Sequence, residues 1–106
     1  MRIAVSIQFF DSCPGWEVAR ARLEEAATQL GVDLEVELRR VETLEEAHSL
    51  GFAGSPTIRI AGSDPFADAG AAPGLTCRLY ATPDGWAGAP TTAQLVAVLA
   101  ERTHTT

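Results

Sequence analysis

The chain has no lysine. Its eight basic residues are all arginine and stand against 14 acidic ones, for a formal charge of −6. That balance argues against nucleic acid and anionic membrane as partners, because both require a basic face to neutralise phosphates. Cysteine is scarce as well: Cys13 and Cys77 are the only two, too few for a disulfide framework. Long apolar runs are missing, and no segment reaches the roughly 18 apolar residues of a membrane span. The first ten residues, MRIAVSIQFF, carry one charge and then alternate, without the apolar stretch and cleavage site of a signal peptide. The expectation is a cytoplasmic protein, where thiols are mostly reduced and a conspicuous cysteine is more often reactive or metal-binding than structural. No histidine or cysteine pair has zinc-ligand spacing, so no metal is assigned. Neither a glycine-rich phosphate loop nor a Ser–His–Asp set is visible.

What remains is an ordinary globular composition. The 106 residues are 46 % apolar, enough for one core and one domain spanning 1–106. Residues 2–10 alternate as a strand, with Ile3, Val5, Ile7 and Phe9 on one side. The cluster DSCPG interrupts them, and Trp16 to Leu30 then repeats at helical spacing up to Gly31. Ser12 suits an N-cap and Pro14 the first helical turn. A second alternating strand covers 33–41. Thr43 and Glu46 form a capping box for a short helix, Leu44 to Leu50, which Gly51 ends. Thr57 to Ile60 reads as a third strand, 64–75 as an inserted loop, and 76–81 as a fourth strand before the turn TPDG. A last helix runs from Thr92 to Arg102, and 103–106 is expected to fray. The order is β-α-β-α-β-β-α. It implies an α/β fold in which a mixed four-stranded sheet is flanked by three helices covering both faces. The first two strands should be parallel through a right-handed crossover, and the last two should form an antiparallel hairpin.

Two motifs sharpen this outline. DSCPGW follows the first strand and opens the first helix, and GSPTI begins the third strand. With the element order, they resemble the thioredoxin-like superfamily over nearly the whole chain. More narrowly, GSPTIRI, DPF and CRLY resemble a group of small, little-characterised bacterial thioredoxin-family proteins. The resemblance implies a nucleophilic Cys13 and a cis Ser55–Pro56 bond facing it. It also implies that the backbone of Ser55 pairs with an extended thiol peptide such as glutathione or mycothiol. Pro14, Trp16, Ser55 and Pro56 would contact that substrate, and Arg59 or Arg78 would receive a carboxylate. One departure stands out. The second cysteine of a dithiol motif would fall at position 16, which is Trp16, giving Cys-Pro-Gly-Trp.

A monothiol mechanism is therefore expected. The thiolate is the reactive form, and the unpaired N–H groups and partial positive charge of a helix N-terminus stabilise it. Asp11 and Glu17 oppose that effect. Cys13 would exchange with a protein disulfide or form a mixed disulfide with a small thiol co-substrate. A second small thiol, or Cys77 as resolving cysteine after rearrangement, would complete the cycle. Cys77 reads as a buried free thiol in an apolar strand whose start lies toward the edge opposite Cys13, which disfavours a Cys13–Cys77 disulfide; the 64–75 loop can alter that geometry. Two readings stay open beside this one: a non-catalytic binding or adaptor module, with a homodimer among its forms, and capture of a soft metal by thiolates. Trp16 is either a shield beside Cys13 or a core residue. Phe66 and Trp86 are expected to cover the core edge or a dimer contact. His48 is expected to be a partly exposed helical residue.

Overall fold

The computed structural model describes residues 2–11, 13, 15–66 and 74–103. The elements are β1 (Arg2–Phe9), α1 (Gly15–Leu30), β2 (Asp33–Arg40), α2 (Leu44–Leu50), β3 (Thr57–Ile60), β4 (Tyr80–Thr82), β5 (Gly85–Ala87) and α3 (Thr92–Thr103). Ser12, Pro14, most of the expected inserted loop and His104 lie outside the described residues. The helix α3 extends one residue into the tail expected to fray.

β1 is the centre of a mixed three-stranded sheet, ordered β2-β1-β3. It pairs in parallel with β2, Val5 opposite Val36, and antiparallel with β3, Ile7 opposite Ile58. The alternation read from the sequence sets this register. Ile3, Val5 and Ile7 point to one face with Ile58 and Ile60. There they meet Ala19, Leu23 and Ala26 of α1 and Leu95 and Leu99 of α3. A register slip of one residue would turn that set to water. Each of the fully buried aliphatic side chains contributes roughly 1.5–3 kcal/mol relative to exposure. On the other face, Arg59 donates to the carbonyls of Leu50 and Gly51 at the end of α2. A smaller cluster of Val41, Ala47 and Phe52 fills the space beside that helix. β2 is an edge strand, and its outward charges, Glu35, Glu37, Arg39 and Arg40, suit a strand that must not pair further.

The helix ends follow local chemistry. Thr43 Oγ1 accepts from Glu46 N–H at 3.1 Å, and Gly51 caps α2 in the left-handed region at φ 64°. At α3, Gln94 N–H donates to Thr91 Oγ1 at 3.1 Å while Thr91 N–H donates to Gln94 Oε1 at 2.9 Å. This reciprocal capping box is present in the sequence as Thr91-x-x-Gln94. Gln94 also donates to Ala81 O, and Arg22 to Pro90 O, each at 2.8 Å, tying the last helix to the hairpin and to α1.

Among the described residues the sheet has three strands rather than the expected four. Residues 76–79 are not a sheet strand; Cys77 makes a single parallel bridge with Ser55. The next residues, Tyr80–Thr82, pair instead with Gly85–Ala87 in a separate antiparallel hairpin. Their backbone groups pair with β5, which was not expected, and among the described residues β3 has β1 as its one strand partner.

Candidate functional site

Three segments converge at the start of α1: the β1–α1 loop, residues 54–57 ahead of β3, and residues 76–80. Cys13 N–H donates to Phe10 O at 3.1 Å, which folds the loop back on itself two residues before α1 begins. Phe10 N–H in turn donates to Ser55 Oγ at 2.9 Å, and the Ser55 hydroxyl lies 3.5 Å from Phe10 O. Ser55 is 1 % exposed, so this pairing satisfies its hydroxyl inside the protein. The Ser55–Pro56 bond is cis, as the resemblance implied. Pro56 is buried and its carbonyl accepts from the Tyr80 hydroxyl.

The two cysteines are joined. Cys13 and Cys77 form a disulfide with Cα atoms 5.6 Å apart, closing a sequence separation of 64 residues. This corrects the expectation that Cys77 starts its segment at the far edge. Cys77 lies beside Ser55: Ser55 N–H donates to Thr76 O at 2.8 Å and Arg78 N–H to Ser55 O at 3.0 Å. The chain's own residues 76–78 therefore hold the Ser55 backbone groups that were expected to be open to a thiol peptide. Cys77 is also not buried. Along 77–81 exposure alternates, with Cys77, Leu79 and Ala81 outward and Arg78 and Tyr80 inward. Cys13 is the enclosed partner, at 2 % exposure.

Arg78 sets that alternation. Its guanidinium meets the Asp64 carboxylate at 2.6 and 3.4 Å, donates to Phe66 O, and lies 4.4 Å from the Tyr80 ring centroid. Asp64 also accepts from Phe66 N–H at 2.9 Å. Both charged side chains are 9 % exposed, so this pair is shielded from water and strongly oriented. Phe66 packs edge-on against Tyr80 at 5.4 Å. The Tyr80 phenol is pushed well above its ordinary range, chiefly by burial. The Arg78 guanidinium is taken up by Asp64 and Phe66 O, whereas Arg59 donates through Nη2 to the carbonyls of Leu50 and Gly51.

No family model, curated protein or solved structure matches this chain. The site is thus known by its own geometry. Trp16 belongs to the core rather than to a shield: it packs on the main cluster and stacks on Phe9 at 4.3 Å. Phe66 covers the core edge, whereas Trp86 on β5 is 73 % exposed. Arg40, missed in the sequence, pairs with Asp11 at 3.3 Å because the β1–β2 register sets it opposite Phe9. It offsets one of the two acidic groups expected to oppose a thiolate at Cys13. Gly15 touches the loop before α3 so closely that a methyl group there would overlap Gly88 O and meet Pro56 Cδ at 3.4 Å. Among the described residues, no three His, Cys, Asp or Glu side chains converge as a metal site, and no helix is long and apolar enough to cross a membrane. A hollow of about 520 Å³ on the sheet face that carries Arg59, whose lining includes Ala4, Ser6, Glu35, Glu37 and Gly62, holds neither cysteine.

Proposed function

We propose that the protein is a thiol–disulfide redox protein of thioredoxin-like fold that cycles between the Cys13–Cys77 disulfide and the dithiol. The observation that carries the reading is the disulfide itself, set between the residue that precedes α1 and a segment leaning on Ser55. Cys77 replaces the cysteine missing at position 16 as resolving thiol, so a second small thiol is not needed to close the cycle. Support for the fold comes from the order of elements, from Cys13 ahead of α1 and from Pro56 ahead of β3. In a reducing cytoplasm, a disulfide of this kind is usually transient, catalytic or sensing. Glutathione, mycothiol or a protein dithiol or disulfide would be its exchange partner.

A second reading has an observation of its own. Cys13 is enclosed and the loop is long, which also suits a structural staple in a non-catalytic adaptor. Equilibration in glutathione redox buffers, followed by acid quench and alkylation, separates the two. A redox protein comes to half reduction between roughly −180 and −280 mV; a pair that stays oxidised below about −300 mV is a staple and overturns the proposal.

A further inference from the structure

We propose that an incoming thiol attacks Cys77 and expels Cys13, so that the mixed disulfide forms on Cys77. The inference rests on the redox reading above and adds which sulfur is the electrophile. It reverses the assignment that the resemblance suggests, in which Cys13 carries the covalent adduct.

Three observations lead there. Thiol–disulfide exchange proceeds with the attacking sulfur opposite the leaving one, so each sulfur of a disulfide is reached only from its own outer side. For Cys13 that side is protein: the residue is 2 % exposed and its N–H is folded onto Phe10 O. Cys77, by contrast, is an exposed residue, as are Thr76 before it and Leu79 two residues on, so a thiol reaches this end of the bond from solvent. Exchange is also faster when the expelled thiolate is the more stable one. Cys13 stands two residues ahead of the 16-residue α1, and the Asp11 carboxylate is paired with Arg40, whereas Cys77 lies in no helix. Access and leaving ability therefore point to the same direction of attack. Finally, Cys77 is held in place without its sulfur. Two backbone bonds to Ser55 and the Arg78–Asp64 pair fix 76–78, so the electrophile keeps its position as the covalent bond exchanges.

A thiolate R–S⁻ forms a bond to Cys77 Sγ, the Sγ–Sγ bond breaks, and its electron pair leaves on Cys13 as thiolate. A second R–S⁻ attacks the R sulfur of the mixed disulfide, releasing R–S–S–R and the Cys77 thiolate, which takes a proton from water. Two external thiols are oxidised and one protein disulfide is reduced.

The test uses oxidised wild-type protein and 2-mercaptoethanol, an uncharged probe that the acidic surface does not repel. Aliquots are quenched early with iodoacetamide and digested at arginine. Cys13 then lies in the peptide 3–20 and Cys77 in 60–78, so mass spectrometry reads the two sites separately. At the earliest times the mercaptoethanol adduct is expected on Cys77 with carbamidomethyl on Cys13, in about tenfold or greater excess over the reverse pattern. An adduct first on Cys13, or equally on both, overturns the inference while leaving the redox reading intact. A disulfide that stays closed, with no adduct on either cysteine, removes the redox reading and this inference with it.

Discussion

Replacing Cys77 by serine tests the disulfide and the unequal burial of its two ends together. The bond closes a sequence separation of 64 residues. For a loop of that length, the chain-entropy relation gives roughly 14 cal/mol/K, or about 4 kcal/mol at 25 °C, removed from the unfolded state. A domain of 106 residues holds about 5–15 kcal/mol in all, so the loss is a large share. With an unfolding entropy of about 2.1 cal/mol/K per residue, the melting temperature of Cys77→Ser should fall by about 15–20 °C. The serine at 77 is exposed and adds no burial penalty of its own. Cys13→Ser removes the same bond, yet places a hydroxyl at a position 2 % exposed. A polar group left there without a partner costs a further 1–3 kcal/mol or so. The expected order of stability is wild type, then Cys77→Ser, then Cys13→Ser. Thermal melts by far-ultraviolet circular dichroism, with urea titrations of all three proteins, measure it. The reasoning fails if Cys77→Ser melts within about 5 °C of the oxidised wild type, or if Cys13→Ser is the more stable of the two variants.

Asp64→Ala, with the disulfide intact, should lose about 3–5 kcal/mol in urea titrations because it strands a shielded guanidinium, whereas Asp64→Asn keeps an acceptor for Phe66 N–H and loses less. Tyr80→Phe takes away the donor to Pro56 O and should cost about 1–3 kcal/mol by the same measurement. Burial raises the Tyr80 phenol above its unfolded value near 10, so stability is full below about pH 10 and falls as pH climbs from there toward the folded value. Tyr80 is the only tyrosine, so phenolate absorbance should appear together with loss of circular dichroism; phenolate in a still-folded protein would contradict the burial. Gly15→Ala should cost about 1–3 kcal/mol, since the clash is with the backbone of Gly88 rather than a movable side chain, and a calorimetric melt within a degree of wild type would refute that contact.

The elements up to β3 were legible to within a residue at each end because their signals are local. Alternation over β1 and β2, the helical spacing of α1 and the capping residues Thr43 and Gly51 need no knowledge of distant partners. The stretch after Ile60 was not legible in the same way. Its alternation is real, but whether Cys77 or Arg78 faces inward is decided by Asp64, 14 residues earlier in the chain and across the expected loop. An inward arginine contradicts the usual ranking of buried residues, so sequence reasoning turns the apolar neighbours inward and misplaces the cysteine. The site shows the same division. Cys13 and Pro56 stand out from their local motifs, whereas the meeting of Cys13 with Cys77 depends on one bridge to Ser55 that no periodicity announces.

That dependence says what the shielded ion pair does for the chemistry. Residues 76–78 rest on the rest of the fold through two backbone bonds to Ser55, the Arg78 side chain and, two residues on, the Tyr80 hydroxyl on Pro56. Without Arg78–Asp64 the segment would retain its backbone bonds but lose the side-chain anchor that holds position 78 against the fold. The backbone bonds and the disulfide still set which way Cys77 faces, so the Arg78 anchor governs how firmly its sulfur is held in line for attack. Asp64 therefore acts on the reaction through orientation, not through contact with sulfur. In Asp64→Ala the second-order rate of disulfide reduction by 2-mercaptoethanol should change and the early adduct should lose its preference for Cys77, whereas a purely stabilising role would lower the melting temperature and leave the adduct on Cys77. Asp64→Asn, which keeps hydrogen-bond acceptance toward Arg78, should restore that preference at least in part.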